Sequence, residues 1–87
     1  MEIREKIRKA IDSKKLIAGF SSVRKGVMNK EISEIIIAKN CPEDMKERLI
    51  AYAEELGLPV HVLDEDNVEL GIMCKKNFKV SVAGIKK

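Results

Sequence analysis

One stretch of this 87-residue chain combines residue types that grip anions: Gly19-Phe20-Ser21-Ser22-Val23-Arg24-Lys25. An apolar run, Leu16-Ile17-Ala18, stops at the glycine, and a polar segment opening on two serines follows it. That is the pattern of a strand turning into the first turn of a helix. Such a turn points free backbone N–H groups outward and carries the positive end of the helix dipole. Arg24 and Lys25 add full charges one turn further on. The device suits an anionic group such as a phosphate. The plainer alternative is a strand–glycine–helix corner that only turns the chain.

Catalytic patterns have less support. Gly19-Phe20-Ser21-Ser22-Val23 resembles a nucleophile elbow but lacks the final glycine of G-x-S-x-G. A serine–histidine pair would need His61, and no third residue is marked to orient it. Asp64-Glu65-Asp66 sits between a strand pattern and a helix cap, where solvated turn residues are expected. No glycine-rich nucleotide fingerprint occurs, and Cys41, Cys74 and His61 are too scattered to suggest zinc or a disulfide framework. The expectation is a protein with no catalytic residues, no cofactor, no metal and no small-molecule substrate.

The elements that must position these residues follow from periodicity. Ile3, Ile7, Ala10 and Ile11 mark an amphipathic helix from Met1 to about Asp12. After the strand at 16–18, Val23 and Val27 give a helix over about Ser21 to Met28, in which Gly26 costs stability unless something packs close to it. Glu34 to Ala38 is a β-branched run without alternation, the mark of a central strand covered on both faces. Asn40-Cys41-Pro42-Glu43-Asp44 reads as a helix start with Pro42 at the first helical position, and Gly57 as its stop. Leu58 to Leu63 is a strand with its proline at an entry or edge. Asp66 to Glu69 opens a short helix reaching Met73, and Lys79 to Ile85 is the last strand. The order α-β-α-β-α-β-α-β predicts an α/β fold, a three-layer α/β/α sandwich around four mixed strands, in one domain spanning 1–87. The loops at Ala18 to Ser22 and Lys75 to Phe78 should share one edge of it.

Charge is distributed unevenly. Residues 1–30 hold nine Lys/Arg against three acids, residues 31–70 hold three against eleven, and residues 71–87 hold five against none. If the fold brings the two basic ends together, one side becomes a cationic patch that orients the protein on nucleic acid. The alternative is that these charges only solvate helix faces. No apolar run approaches membrane-spanning length and no signal peptide is visible, so the expected setting is cytoplasmic and away from membranes.

Four stretches together resemble the kink-turn RNA-binding family that includes large-subunit ribosomal proteins seven-a-e and thirty-e. They are Gly19 to Lys25, Ile35-Ile36-Ile37-Ala38-Lys39-Asn40, Val68-Glu69-Leu70-Gly71, and Asn77-Phe78-Lys79-Val80-Ser81-Val82-Ala83. The similarity runs over nearly the whole chain and is greatest to the thirty-e branch, with an archaeal cast. It implies an RNA-binding ribosomal protein with RNA and ribosomal proteins as partners, in which the start of the second helix enters a sharply kinked stem with tandem G·A pairs. The seven-a-e branch has G-x-N-E-x-x-K there; Gly19 and Lys25 match, but Ser21 and Ser22 replace the Asn and Glu. A hydroxyl cannot supply the acceptor pair that a carboxylate presents to guanine. The thirty-e branch also lacks that pair. The resemblance thus marks Gly19, Phe20, Ser21, Ser22, Arg24, Lys25, Asn40, Lys75, Lys76 and Phe78 as RNA-binding, with Asn40 open to a second role as a helix cap before Pro42. The rival is a family member that has given up kink-turns and serves as a protein–protein module.

Overall fold

The computed structural model describes residues 2–87. Four helices alternate with four strands: α1 (Ile3–Asp12), β1 (Leu16–Ala18), α2 (Phe20–Met28), β2 (Ile32–Ile37), α3 (Glu43–Leu56), β3 (Val60–Val62), α4 (Asn67–Met73) and β4 (Val82–Lys86). The strands form one mixed sheet in the order β1-β4-β2-β3. β4 runs antiparallel to both β1 and β2, whereas β2 and β3 are parallel. The expected four-stranded α/β sandwich is therefore the architecture found. The position of Met1 in the first helix lies outside the described residues.

Two apolar clusters lie on opposite faces of the sheet. Ile7 and Ala10 of α1 and Leu70 of α4 pack with Ile36, Ala83 and Ile85 on one face. Val23 and Val27 of α2 and Leu49 and Ala53 of α3 pack with Ile35, Ile37 and Val82 on the other. Ile35, Ile36 and Ile37 are all fully buried, because successive side chains of a strand point to opposite faces and both faces here are covered. A register shift between Ile32 and Glu34 lets Ile32 join the α2/α3 cluster while Glu34 turns toward α1. The Ser33 hydroxyl donates to the Ile85 carbonyl at this irregularity. Gly26 is explained by close approach: a β-carbon there would sit 2.8 Å from the side chain of buried Ile32.

Some boundaries differ from the periodicity. Pro42 is the residue before α3 rather than its first helical residue, and no side chain caps that helix, so Asn40 does not serve it as a cap. Residues 79–81 lie outside β4, where α4 draws the chain away from the sheet at Val80. The Val80 N–H donates to the Asn67 carbonyl, and the Ala38 N–H donates to the Ser81 carbonyl. All four helices end with paired backbone bonds of the Schellman type, for example Lys15 N–H to Ala10 O and Lys14 N–H to Ile11 O. Gly57 holds the left-handed position after α3, but Lys14, Lys30 and Lys75 hold it after the other helices. Cys41 and Cys74 are free, buried, and on opposite sides of the sheet. No helix among the described residues is long and apolar enough to cross a membrane.

Candidate nucleic-acid interface

The carboxyl ends of β1, β2 and β3 and the start of β4 meet at one end of the sheet, as the pairings Ala18↔Ala83, Ile37↔Val82 and Ile37↔Val62 require. Gly19 makes the turn there with φ 100° and ψ 145°, a conformation that residues with a β-carbon rarely adopt. Its N–H donates to the Val82 carbonyl at 2.8 Å, which fixes the start of α2 beside the chain entering β4. The Gly19 carbonyl accepts from Val23, so α2 begins at Phe20, one residue earlier than its polar composition suggests. No side chain caps this helix. Its first N–H groups therefore face the sheet end without a side-chain acceptor.

Ser21, Ser22, Arg24 and Lys25 are exposed on this helix. Phe20 is half-buried against the α2/α3 cluster, so it packs beneath the turn while staying partly exposed. Among the described residues, Arg24 and Lys25 make no ion pair, and neither do Lys75 and Lys76. These cations keep their charge available.

The late loop follows α4 on the other face of the sheet and leads into the start of β4. Lys75 takes the left-handed position after α4, and Lys76 N–H closes the turn on Gly71 O. The chain then doubles back along α4 until Val80 bonds to Asn67. Gly71 permits this: a β-carbon there would overlap the Phe78 carbonyl oxygen. Phe78 itself is 59% exposed. Residues 80–82 link this loop to the Gly19 turn, through Val80 on Asn67 and the Val82 carbonyl accepting from Gly19. Lys75 is turned partly aside, lining a groove with Arg4, Arg8, Ile11, Ile72 and Met73. Lys76 and Phe78 line a neighbouring concavity of about 250 Å³ with Val68, Ile72 and Lys79.

Asn40 stands at this end too, but its amide is engaged within the chain. The Asn67 N–H donates to Asn40 Oδ1 at 2.8 Å, and Asn40 Nδ2 donates to Asn67 Oδ1 at 3.2 Å. Asn40 thereby ties the β2–α3 loop to the start of α4, whose own cap is Asp66 accepting from the Glu69 N–H at 2.9 Å. Sequence reasoning missed Val68 and Ile72, exposed on α4 beside Phe78. A signal existed: with Leu70 and Cys74 as the buried pair, the i, i+4 pair Val68 and Ile72 must lie on the outer face.

The electrostatics outside this surface are structural. Burial would raise the Glu34 carboxyl, but hydrogen bonds and charge from Lys6 and His61 outweigh it and hold it below its ordinary value. Lys6 Nζ lies 2.7 Å and His61 Nε2 2.9 Å from Glu34 Oε1. Burial pushes the Cys74 thiol up to about 11 and raises that of Cys41, so neither is an activated nucleophile.

This geometry defines a small α/β/α sandwich that presents an uncapped helix start, free cations and an exposed phenylalanine around one end of its sheet. The chain belongs to the Ribosomal protein L7Ae/L30e/S12e/Gadd45 family, whose model matches residues 1–87. It is 35% identical over 81 residues to the large ribosomal subunit protein eL30 of Methanococcus vannielii, covering 93% of this chain and 77% of that one. To eL30 of Methanocaldococcus jannaschii it is 33% identical, covering 93% and 74%. Among solved structures, the Giardia lamblia 15.5kD RNA binding protein shares the fold with a TM-score of 0.85 at 20% identity, covering 98% of this chain and 71% of that one. A Bacillus halodurans protein of unknown function gives 0.84 at 23%, covering 93% and 80%.

Proposed function

We propose that the protein is a non-catalytic RNA-binding protein of the large-subunit ribosomal thirty-e type, working in the cytoplasm and recognising a kinked RNA stem through the start of α2. One observation carries this reading: the Gly19 turn, which opens the helix carrying the serines and the unpaired Arg24 and Lys25, is bonded to Val82, where the chain from the Phe78 loop enters the sheet. Backbone N–H groups and cations bind phosphate, and an exposed ring can stack an unpaired base. The eL30 names of its relatives agree with a ribosomal setting, with ribosomal RNA and neighbouring ribosomal proteins as partners. Gly19, Phe20, Ser21, Ser22, Arg24, Lys25, Lys76 and Phe78 form the contact surface, with Lys75 at its margin. Asn40 supports it from behind and offers its remaining amide hydrogen.

Ser21 and Ser22 also favour a second reading, a protein-interaction module, because hydroxyls read guanine edges poorly. Titration against a kink-turn stem and its G·A-to-G·C control separates the two. The wild type should bind the kinked stem with modest discrimination, below the roughly 1–3 kcal/mol that a good base-edge pair supplies. The double change Ser21→Asn, Ser22→Glu should sharpen preference for the kinked stem and weaken binding to the control. Equal loss on both RNAs would mean that this helix start does not face the G·A pairs. No RNA binding at low salt would leave the protein-module reading.

A further inference from the structure

A concavity of about 310 Å³ lies between α1 and the β1·β4 pair, lined by Lys6, Lys9, Ser13, Lys15, Glu34 and Lys86 among others. It is at the opposite end of the sheet from Gly19, since the Leu16↔Ile85 pairing is the far end of the ladder that stops at Ala18↔Ala83. Lys6, Lys9 and Ser13 follow the i, i+3, i+7 spacing of one helix face. Lys15 and Lys86 come together from the sheet edge, where the Lys86 N–H donates to the Lys15 carbonyl at 2.8 Å.

Among the described residues, the only acid lining this concavity is already committed. Glu34 is held by Lys6 and His61, which leaves Lys9, Lys15 and Lys86 without an ion pair among the described residues. Lys15 and Lys86 lie just beyond the Leu16↔Ile85 pair and line the same concavity, which gathers like charges there. Among the described residues, no ion pair offsets that repulsion. A concave wall of one sign also focuses its field and collects counter-ions. The apolar residues beneath, Ala10 and Ile85, are buried, so the surface offers nothing to insert into a lipid or to cover with an apolar partner.

We propose that this basin is a second phosphate-binding surface, occupied by the backbone of another RNA segment, so that the protein clamps two RNA segments at opposite ends of its sheet. The inference rests on the RNA-binding reading above, but its surface shares no residue with the α2 site. RNA backbone is favoured over a membrane or an acidic protein because the basin presents several separate point charges and one hydroxyl, and no exposed apolar side chain.

The test uses the full chain, a kinked stem RNA and a labelled twelve-nucleotide polyuridine. Wild type saturated with the stem should take up polyuridine in a 1:1:1 complex at low salt, resolved by native mass spectrometry. The variant Lys9→Gln, Lys15→Gln, Lys86→Gln, all at exposed positions, should keep its stem affinity within about twofold and lose polyuridine uptake about tenfold or more. Its salt slope for polyuridine should fall by about 2, from three lost contacts on single-stranded RNA. Absence of the ternary complex from a stem-bound wild type, or its persistence in the variant, overturns the proposal. Equal uptake of phosphatidylglycerol vesicles, lost in the same variant, overturns the assignment to RNA. If the wild type does not bind the stem, the α2 reading fails while the basin is still decided by polyuridine alone. Backbone amide shifts at Ser13, Lys15 and Lys86 then support it, and shifts confined to residues 19–25 overturn it.

Discussion

Single residues set the geometry of both ends of the sheet. Gly19 is the clearest case, because its φ of 100° is unfavourable for any side chain although a β-carbon would meet nothing within 4 Å. Gly19→Ala should therefore cost about 1–3 kcal/mol through backbone strain alone. A fall in Tm of roughly 5 °C or more would register it in a domain of this size; an unchanged Tm would mean the turn relaxes freely. Glu34 gives a pH signature. Its folded-state pKa is depressed by Lys6 and His61, so its contribution is complete above the ordinary glutamate range, near pH 4.3, and is lost as pH falls through the lower folded value. Urea midpoints of Glu34→Gln should accordingly decline less between about pH 5 and 3 than those of the wild type; parallel curves would remove Glu34 from the acid limb. The Gly19 turn and the Asp66 cap were both legible, since each is written in neighbouring residues. The Asn40–Asn67 clasp was not, because 27 residues separate its halves and only the fold brings them together.

At the scale of elements, the segment from Lys75 to Ser81 shows why a period can mislead. Lys79-Val80-Ser81 alternates like the strand that follows it, yet Val80 spends its N–H on α4. Strand identity is a matter of partners, and α4 takes this one before the sheet can. The helix stops at Lys14, Lys30 and Lys75 were legible as ends but not as left-handed residues, because glycine is the usual mark of that conformation. The loop is held onto α4 by close backbone approach at Gly71, so the position of Phe78 depends on a missing side chain seven residues upstream. Gly71→Ala must displace that backbone, at a cost of about 1–3 kcal/mol from overpacking. The same change should weaken RNA binding about as much as Phe78→Ala does, because both take the ring from its place. If Gly71→Ala lowers Tm while leaving RNA affinity intact, the loop is structural and Phe78 makes no contact with RNA.

For the whole molecule, the alternation of elements predicted a covered sheet but not the order of its strands. That order turns the charge pattern into a lateral dipole. β4 is last in the chain yet lies beside β1, so the basic first thirty and last seventeen residues build the β1·β4 half. The acidic segment 31–70 builds β2, α3 and β3 in the other half. With principal extents of 29 × 27 × 23 Å, opposite sides are separated by more than the Debye length of about 8 Å at physiological salt. The acids of α3 should therefore have little influence on RNA seated at the basic side, and a direct influence on RNA that approaches the acidic side. Neutralising exposed acids by Glu47→Gln, Glu54→Gln and Glu55→Gln should leave the Kd for the kinked stem within about twofold at 0.15 M salt. The same variant should bind an unkinked duplex several-fold more tightly at low salt, because removing like-charge repulsion against the wrong face permits encounters that the wild type rejects. Paired titrations of both RNAs at two salt concentrations decide it. Equal strengthening toward stem and duplex would show that the acidic half changes only overall attraction, and that the dipole does not orient the protein on RNA.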